Sequence, residues 1–459
     1  MPRKVTRREF MATAAGTTAL VHGGAHRALG AAKRPNVLFI LADDLGYGDL
    51  SCYGRPDYTT PVLDDFAKQG IKFTSAYAAA PVCTPTRCAY VTGRYPQRLA
   101  VGLEEPLKRS SPPDTGLPPD HPTVASLLKR GGYDTSLVGK WHLGWKPEFG
   151  PNRHGFDEFF GVLSGAVDYF THRAADAPGG ASTEGRPDLW ENLTPIERVG
   201  YLTDLLSDKA IEIITRPHPK PFFLSLQYTA PHSPWEGPED EAIGHTSHGP
   251  GPMIDGGSLK IYASMMKSMD KGIGRVLQAL ERAQLARDTL VIFTSDNGGQ
   301  RYSYQWPFSF QKMFLHEGGT RVPALVRWPG VIPAGRVTEQ PAITMDWTAT
   351  ILAVAGSAPD PAYPLDGESL LSVCKGEREA YDRTLFWRTV ERAAARVGDW
   401  KYLADEDGEY LFDLSVDPGE KDNRRGKRPD AFEEIKQQYV AWNARMLPRP
   451  QTSRPPAPA

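Results

Sequence analysis

Short runs of consecutive apolar residues recur along the chain, and polar or charged residues follow most of them. The runs cover residues 36–42, 133–138, 221–227, 289–294 and 322–327. Continuous rather than alternating apolar character is typical of strands that are buried on both faces of a parallel sheet. The polar clusters therefore fall at the carboxyl ends of the predicted strands, which is the edge where α/β sheets bind their ligands.

Helical patterns lie between these runs. Apolar residues recur at helical spacing in 61–70, 123–131, 197–216 and 259–285. Strands that alternate with helices predict an α/β fold with a large, mainly parallel sheet.

The pattern changes after about residue 359. Short strand-like pieces are predicted at 384–387, 394–397, 400–404 and 409–414, and a last helix at 430–446. Strands close together in sequence pair most simply as antiparallel neighbours. We therefore predict a smaller C-terminal α+β domain.

The chain divides into four predicted parts. Residues 1–30 form an export signal, because a basic start with Arg7-Arg8 precedes a short apolar stretch, as in bacterial twin-arginine signals. A catalytic domain spans 34–360, the small domain spans 361–447, and a Pro-rich disordered tail covers 448–459. The signal predicts a periplasmic or secreted protein.

Composition excludes several classes of protein. With 24% charged residues and a net charge of −2 in 459 residues, neither a long disordered chain nor a general nucleic-acid-binding surface is expected. No apolar run reaches the length of about 18 residues that a membrane-spanning helix needs. Four cysteines are too few for a disulfide-built scaffold, and their spacing does not fit a zinc ribbon.

Acidic and amide side chains follow two of the predicted strands. Asp43-Asp44 comes after the first run, and Asp296-Asn297 comes after the run at 289–294. Oxygen ligands at two strand ends suit a hard divalent cation, either Ca²⁺ or Mg²⁺. Ordinary turn and capping roles are the alternative, since Asp and Asn are common at strand ends.

A cysteine, a proline and an arginine stand together in Cys83-Thr-Pro-Thr-Arg87, with Thr92-Gly-Arg94 downstream. By composition alone, Cys83 is either a thiol nucleophile or a buried structural residue. The string resembles the C-x-P-x-R signature of type I sulfatases, in the alkaline phosphatase-like superfamily. In that family a formylglycine-generating enzyme oxidises the cysteine before folding, which implies formylglycine at position 83. Thr86 departs from the family's usual Ser or Ala.

The resemblance extends along most of the chain, with the motifs in the family's order. The similar segments are NVLFILADDLGYGD (36–49), GKWHLG (139–144), PHSPW (231–235), SDNGG (295–299), Lys312 with EGGTRVP (317–323), GDWKY (398–402) and YLFDLSVDP (410–418). The resemblance implies an alkaline phosphatase-like α/β/α sandwich with a small C-terminal antiparallel sheet. It also implies an exported, bacterial, arylsulfatase-like enzyme.

The resemblance further implies one bound cation, usually Ca²⁺ and alternatively Mg²⁺. Its ligands would be Asp43, Asp44, Asp296, Asn297 and the modified side chain at Cys83.

The family's catalytic residues correspond to five further positions. Arg87 would assist the hydrated formylglycine, which is the nucleophile toward sulfur. Lys140 and Lys312 would neutralise the sulfate oxygens. His232, with Lys312, would donate a proton to the leaving alcohol, and His142 would act as the base that allows sulfate to leave. Each of these residues taken alone also has an ordinary structural interpretation as a surface lysine, a packed histidine or a paired arginine.

The substrate is less well determined. Asp168, Tyr169, His172, Trp235 and Trp306 are candidate pocket residues. Such walls suit a sugar or an aryl group equally well. A sulfated carbohydrate is favoured because exported bacterial sulfatases often resemble polysaccharide-degrading enzymes.

Two other functions remain open at this point. The first is a formylglycine-dependent phosphonate monoester or phosphodiester hydrolase, which shares the fold and the metal site. The second is a non-catalytic protein that binds sulfated glycans. The sequence does not predict the oligomeric state.

Overall fold

A computed structural model describes residues 34–108, 110–175, 187–240 and 257–450. The predicted export signal and residues 451–459 of the predicted tail lie outside these ranges. Within them, no helix is both long enough and apolar enough to cross a bilayer.

The strands in the described part of the chain form three sheets. Their bounds are β1 Asn36–Ala42, β2 Ile71–Phe73, β3 Ala76–Tyr77, β4 Asp134–Lys140, β5 Glu158–Val162, β6 Leu189–Glu191, β7 Thr194–Pro195, β8 Phe222–Gln227, β9 Thr289–Ser295, β10 Ala324–Arg327, β11 Arg336–Thr338, β12 Ala342–Ile343, β13 Thr384–Arg388, β14 Ala393–Val397, β15 Trp400–Asp405 and β16 Gly408–Asp413.

The large sheet has ten strands in the order β11-β2-β10-β9-β1-β8-β4-β5-β6-β7. Its centre is parallel: β1 lies between β8 and β9, so that Val37 is paired with Phe223 on one side and with Leu290 on the other. β4 continues the parallel order beside β8. The predicted mainly parallel sheet is confirmed, and the carboxyl ends of β9, β1, β8 and β4 meet at one edge.

β10 differs from its neighbours in direction. It runs antiparallel to both β9 and β2, although its apolar run resembled those of the parallel strands. Three of its four residues are buried. A strand buried on both faces has a continuous apolar run whichever way it points.

The helices cover both faces of the large sheet. Their bounds are α1 Pro61–Gln69, α2 Cys83–Thr92, α3 Val124–Arg130, α4 Leu202–Thr215, α5 Leu259–Arg282, α6 Glu317–Thr320, α7 Thr344–Ala355, α8 Leu371–Lys375 and α9 Pro429–Asn443. Leu38 and Ile40 of β1 pack in one core with α4 and α5. Val37 and Phe39 pack in a second core on the other face, with α2, α3 and α7. This alternation follows from the two-residue period of a strand and gives an α/β/α sandwich.

The strands β13 to β16 form the predicted antiparallel C-terminal sheet. Its core contains Trp387 and Trp442 and extends to Tyr77 and Tyr95 of the first part of the chain. A buried charged contact also joins the two parts, since Lys401 Nζ lies 2.8 Å from Glu317 Oε1. Apolar packing therefore attaches the small sheet to the first part of the chain, and a buried ion pair attaches it to the segment after β9.

Candidate active site

Four neighbouring strands lead to predicted site residues: three of them end at such residues, and the fourth reaches one through a short loop. Asp296-Asn297 follows β9, Asp43-Asp44 follows β1, and His232 lies in the loop after β8. The last residue of β4 is Lys140, and His142 comes just after it. All of these side chains are buried, and sequence reasoning predicted each of them.

Cys83 is the first residue of α2 and is 1% exposed. Burial raises the pKa of its thiol, while the nearby ammonium groups of Lys140 and Lys312 act in the opposite direction. Arg87 follows one helical turn later, on the same face of α2 as Cys83. The signature thus brings the cysteine and the arginine to one side of a buried helix.

The guanidinium of Arg87 is held at three places. Its Nε and Nη2 donate to Asp296 Oδ2 at 3.1 and 2.9 Å. Its Nη1 donates to Gln227 Oε1 at 2.7 Å and to the carbonyl of Lys140 at 3.0 Å. A planar guanidinium that is hydrogen-bonded along two edges has one orientation, so the charged group of Arg87 is fixed in place before any ligand binds.

Two lysines pair with the two aspartates that follow β1. Lys140 Nζ donates to Asp43 Oδ2 at 2.6 Å, and Lys312 Nζ donates to Asp44 Oδ2 at 2.8 Å. Burial on its own would raise the pKa of Asp44, but the charge of Lys312 and the imidazole of His232 outweigh it and lower the pKa. Burial opposes the charge of Lys312, yet Asp44 raises the pKa of its ammonium above the usual value.

The acidic cluster has the donor set of a hard cation site. Asp43 Oδ1 and Asn297 Oδ1 are buried and accept no hydrogen bond within the described part of the chain. Ligand atoms of Asp43, Asp44 and His232 lie within 4.8 Å of one another. Buried oxygens without donors are costly unless a cation or water meets them, so these residues fit a Ca²⁺ or Mg²⁺ ion.

The backbone is in the left-handed region at two of these residues. The φ angle is 61° at Asp44 and 57° at His142. Such angles are uncommon outside glycine and are concentrated at functional sites. At each of these residues the backbone therefore leaves the direction of the preceding strand.

His142 has one nitrogen bonded and one without a partner. Its Nε2 lies 2.9 Å from the carbonyl oxygen of Leu107, which can only accept, so we assign the ring hydrogen to Nε2. Nδ1 is buried and has no partner among the described residues. Burial, reinforced by the positive charge of Lys140, lowers the pKa of the ring well below its usual value. His142 is therefore a neutral imidazole with an available lone pair.

His232 has the opposite arrangement. Its Nδ1 bonds the carbonyl oxygen of Ser233, which assigns the ring hydrogen to Nδ1. Its Nε2 faces the Asp44 carboxylate at 3.5 Å. Burial lowers the pKa of His232 to about 3, although Asp44 acts in the opposite direction.

Sequence reasoning missed Gln227, Leu107 and Gly165. Gln227 ends a mainly apolar strand, and that polar residue was a usable signal. The carbonyl of Leu107 and the space beside Gly165 have no sequence signal. A Cβ placed on Gly165 would lie 2.6 Å from His142 Cε1, so only glycine leaves room for the imidazole in its present position.

The five predicted pocket residues occupy different environments. Tyr169 is buried and donates its hydroxyl hydrogen to the carbonyls of Thr229 and His232 at 2.8 and 3.0 Å. Asp168 accepts from the backbone of its own turn, and His172 contacts the Gly200 carbonyl. The other two are tryptophans, a buried Trp235 and an exposed Trp306. Their contact with substrate stays a prediction.

Comparison with known proteins identifies the family. A family model described as Sulfatase matches residues 35–357. The chain belongs to the sulfatase family. A second model, described as N-sulphoglucosamine sulphohydrolase, C-terminal, matches residues 304–441 of this sulfatase. The predicted family is thus confirmed, and with it the assignment of the chain as an enzyme of sulfate-ester hydrolysis.

Individual relatives cover most of the sulfatase. It is 34% identical to N-acetylgalactosamine-6-sulfatase of Canis lupus familiaris, over 82% of this chain and 72% of that protein. It is 32% identical to steryl-sulfatase of Mus musculus, over 93% and 84% of the two chains. The crystal structure of Ps i-CgsB in complex with k-i-k-neocarrahexaose is 31% identical, with a TM-score of 0.79 over 89% of this chain and 93% of that one.

Proposed function

We propose that this sulfatase removes sulfate from a sulfated carbohydrate, and that formylglycine formed from Cys83 supplies the nucleophile. The observation that supports this proposal is the set of three cations around the buried start of α2. Arg87, Lys140 and Lys312 all lie there, in a chain whose net charge is only −2. Attraction for a sulfate group is therefore local and does not come from the surface as a whole.

The buried cations answer the main difficulty of the reaction. A sulfate ester repels a nucleophile because its oxygens carry negative charge, and that charge must be stabilised as the leaving oxygen departs. Lys140 and Lys312 would orient and neutralise the sulfate oxygens. Arg87, fixed by Asp296 and Gln227, needs no reorganisation during the reaction.

Asp43, Asp44, Asp296 and Asn297 would hold Ca²⁺, with Mg²⁺ as the alternative, together with residue 83. The ion would supply positive charge and would lower the pKa of a hydroxyl beside it. The buried Oδ1 atoms of Asp43 and Asn297, which accept no hydrogen bond from the described residues, support this assignment.

Proton transfer would use the two histidines and Lys312. Nδ1 of His142 has no hydrogen-bond partner among the described residues, so it is suited to accept a proton from the hydroxyl of residue 83. Lys312, which stays charged beside Asp44, would provide the proton for the leaving alcohol, and His232 would pass it or position it.

A carbohydrate is the favoured substrate for two reasons. A protein 31% identical to this one over 89% of the chain has been crystallised with a neocarrahexaose. The names of the sugar-sulfatase relatives point the same way. Aryl sulfates are the alternative. If the Arg7-Arg8 segment acts as an export signal, the enzyme works in the periplasm or outside the cell.

The decisive experiment combines mass spectrometry with kinetics. The chain is produced together with a formylglycine-generating enzyme, and the peptide containing residue 83 is weighed. Formylglycine predicts a mass about 18 Da below that of the cysteine form. Hydrolysis of 4-nitrophenyl sulfate should disappear in Cys83→Ala. It should persist in Cys88→Ala, which removes a second buried thiol from the same helix.

Rates on bis(4-nitrophenyl) phosphate separate this function from diester hydrolysis. We expect sulfate to be the better substrate, and a strong preference for the diester would overturn the sulfatase proposal. Full activity in Cys83→Ala would overturn the formylglycine mechanism alone.

A further inference from the structure

A cavity of about 600 Å³ lies beside the catalytic centre. We name it the tryptophan cavity, and its walls include Ser111, Trp145, Lys146, Leu163, Asp188 and Trp190. Its size is that of a site for a ligand of one or two sugar rings rather than for a single ion. None of the residues assigned to the reaction lines it.

The tryptophan cavity is built on the two segments that position His142. Trp145 follows His142 on the loop after β4, and the centres of their two rings are 6.4 Å apart. Leu163 lies just after β5, two residues before the glycine that makes room for the His142 imidazole. A ligand in the cavity would therefore adjoin the reacting group.

Trp145 presents an unused donor. Its indole N–H is buried and has no hydrogen-bond acceptor within the described part of the chain. An unpaired buried donor is unfavourable, and because this N–H is shielded in the ligand-free structure, a ligand with an acceptor would gain affinity when the indole turns its N–H towards it. A sugar hydroxyl or ring oxygen meets this need while the apolar face of the sugar packs on indole, whereas a plain aryl group would leave the donor unpaired.

The charges in the tryptophan cavity are already compensated. Lys146 forms an ion pair with Asp114. Asp188 accepts hydrogen bonds from the Trp190 indole at 2.9 Å and from the Ser164 amide at 2.9 Å. Among the described residues that line the cavity, Lys146 is the one cation and Asp188 the one carboxylate. This part of the wall has no net positive charge to attract a second sulfate or a uronic acid carboxylate, so it favours an uncharged ring.

We propose that the tryptophan cavity binds an uncharged sugar residue that adjoins the sulfated residue in a glycan chain. The proposal rests on the proposed function, and it makes this sulfatase an enzyme for oligosaccharides or polysaccharides rather than for sulfated monosaccharides. Trp145 and Trp190 would then determine specificity and would act mainly on substrate binding.

The test measures binding to the full chain carrying Cys83→Ala, which cannot turn over. The probes are sulfated mono-, di- and tetrasaccharides of the carrageenan type, whose alternate residues include uncharged rings, and of the chondroitin type, whose alternate residues are uronates. We expect carrageenan-type oligosaccharides to bind at least about tenfold more tightly than sulfated galactose. Adding Trp145→Phe should weaken that binding about threefold, and Trp145→Ala about tenfold.

The matched control is Trp328→Phe, since Trp328 also donates its indole N–H, to the Arg287 carbonyl, in another part of the molecule. It should leave oligosaccharide binding unchanged. Thermal unfolding of every variant identifies folding defects, and Trp145→Phe retains most of the packing where Trp145→Ala does not.

Three results would overturn the proposal: equal affinity for monosaccharides and longer glycans, a preference for uronate neighbours, or unchanged binding in both Trp145 variants. Hydrolysis of 4-nitrophenyl sulfate by the unsubstituted enzyme tests the proposed function separately. An active sulfatase without a length preference would exclude only the tryptophan cavity proposal, whereas an inactive chain would exclude the function and leave the binding data to decide on the cavity.

Discussion

Arg87 and Asp296 form a buried two-point contact in which Asp296 Oδ2 accepts from Nε at 3.1 Å and from Nη2 at 2.9 Å. The other oxygen of the same carboxylate accepts from the Asp44 amide at 3.1 Å. One side chain thus connects the guanidinium beside Cys83 with the loop that carries the acidic cluster. A displacement of the Arg87 guanidinium would therefore also displace the residues of the predicted metal site.

Replacing Arg87 by lysine should separate geometry from charge. Arg87→Lys retains a positive charge but cannot bond Asp296 through two nitrogens, so we expect kcat to fall by about 100-fold. Urea unfolding measures any change in the free energy of unfolding, and sulfate-ester kinetics measure the change in kcat. The matched control is Arg98→Lys, because Arg98 also donates from Nε and Nη2 to one carboxylate, that of Asp366, at 2.7 and 2.7 Å. Similar losses of kcat in both variants would mean that the contact at Arg87 is only structural.

Gly165 should be essential for the position of His142. An alanine Cβ there would approach His142 Cε1 to 2.6 Å and Nε2 to 2.7 Å, closer than such atoms come. Gly165→Ala is therefore expected to move the imidazole from the Leu107 carbonyl and to lower kcat by at least about tenfold. Gly426→Ala is the control, since no atom of the described residues lies within 4 Å of a Cβ at that residue. Unchanged turnover in Gly165→Ala would show that His142 is not the base.

Much of the fold could be predicted because burial on two faces leaves a strong pattern. The first apolar run became β1 with the bounds expected for it, and 289–294 became β9 with one added residue. The shortest strands were missed, since β3, β7 and β12 have only two residues each and show no hydrophobic period. The helix predicted from 197 begins at Leu202 instead, because Gly200 has a φ of +136°, which a helix cannot contain.

The chemistry of the site was predictable by residue type but not by partner. Motif residues such as Lys140 and Lys312 stand out in the sequence, and burial confirms that they are inside the protein. Their pairing with Asp43 and Asp44 joins residues about a hundred or more positions apart, which only the strand order determines. The role of Gln227 was missed for the same reason, because its partner Arg87 belongs to another element.

Removal of divalent metal should destabilise the enzyme. Ca²⁺ at about 100 times its Kd is expected to add about 2.7 kcal/mol to the free energy of unfolding. EDTA should reverse this gain, and Asp43→Asn should abolish it, because Oδ1 of Asp43, which accepts no hydrogen bond from the described residues, is a predicted ligand atom. Differential scanning calorimetry with and without Ca²⁺ measures the effect. Asp65→Asn, at an exposed acid of α1, should retain the full response, and the same response in Asp43→Asn would contradict the site.

Glu105 should make stability depend on pH near neutrality. Its carboxylate accepts from the Val390 amide at 3.0 Å and so links the segment before Leu107 to the small domain. Burial raises the pKa of Glu105 from 4.5 to about 7, so the folded chain holds this proton more tightly than the unfolded chain does. The stability that protonation provides is complete below pH 4.5 and is lost as the pH rises through about 7.

Glu105→Gln removes this titration and keeps an acceptor for Val390. Between pH 4.5 and pH 8 the unsubstituted enzyme should lose about 2 kcal/mol more free energy of unfolding than the variant does. Urea unfolding at several pH values measures the free energy of unfolding of both proteins. The contributions of the other titrating groups are the same in both and cancel when the two values are subtracted. Glu148→Gln, at an exposed glutamate, should follow the unsubstituted enzyme. Parallel curves for Glu105→Gln and the unsubstituted chain would show that this carboxyl titrates normally.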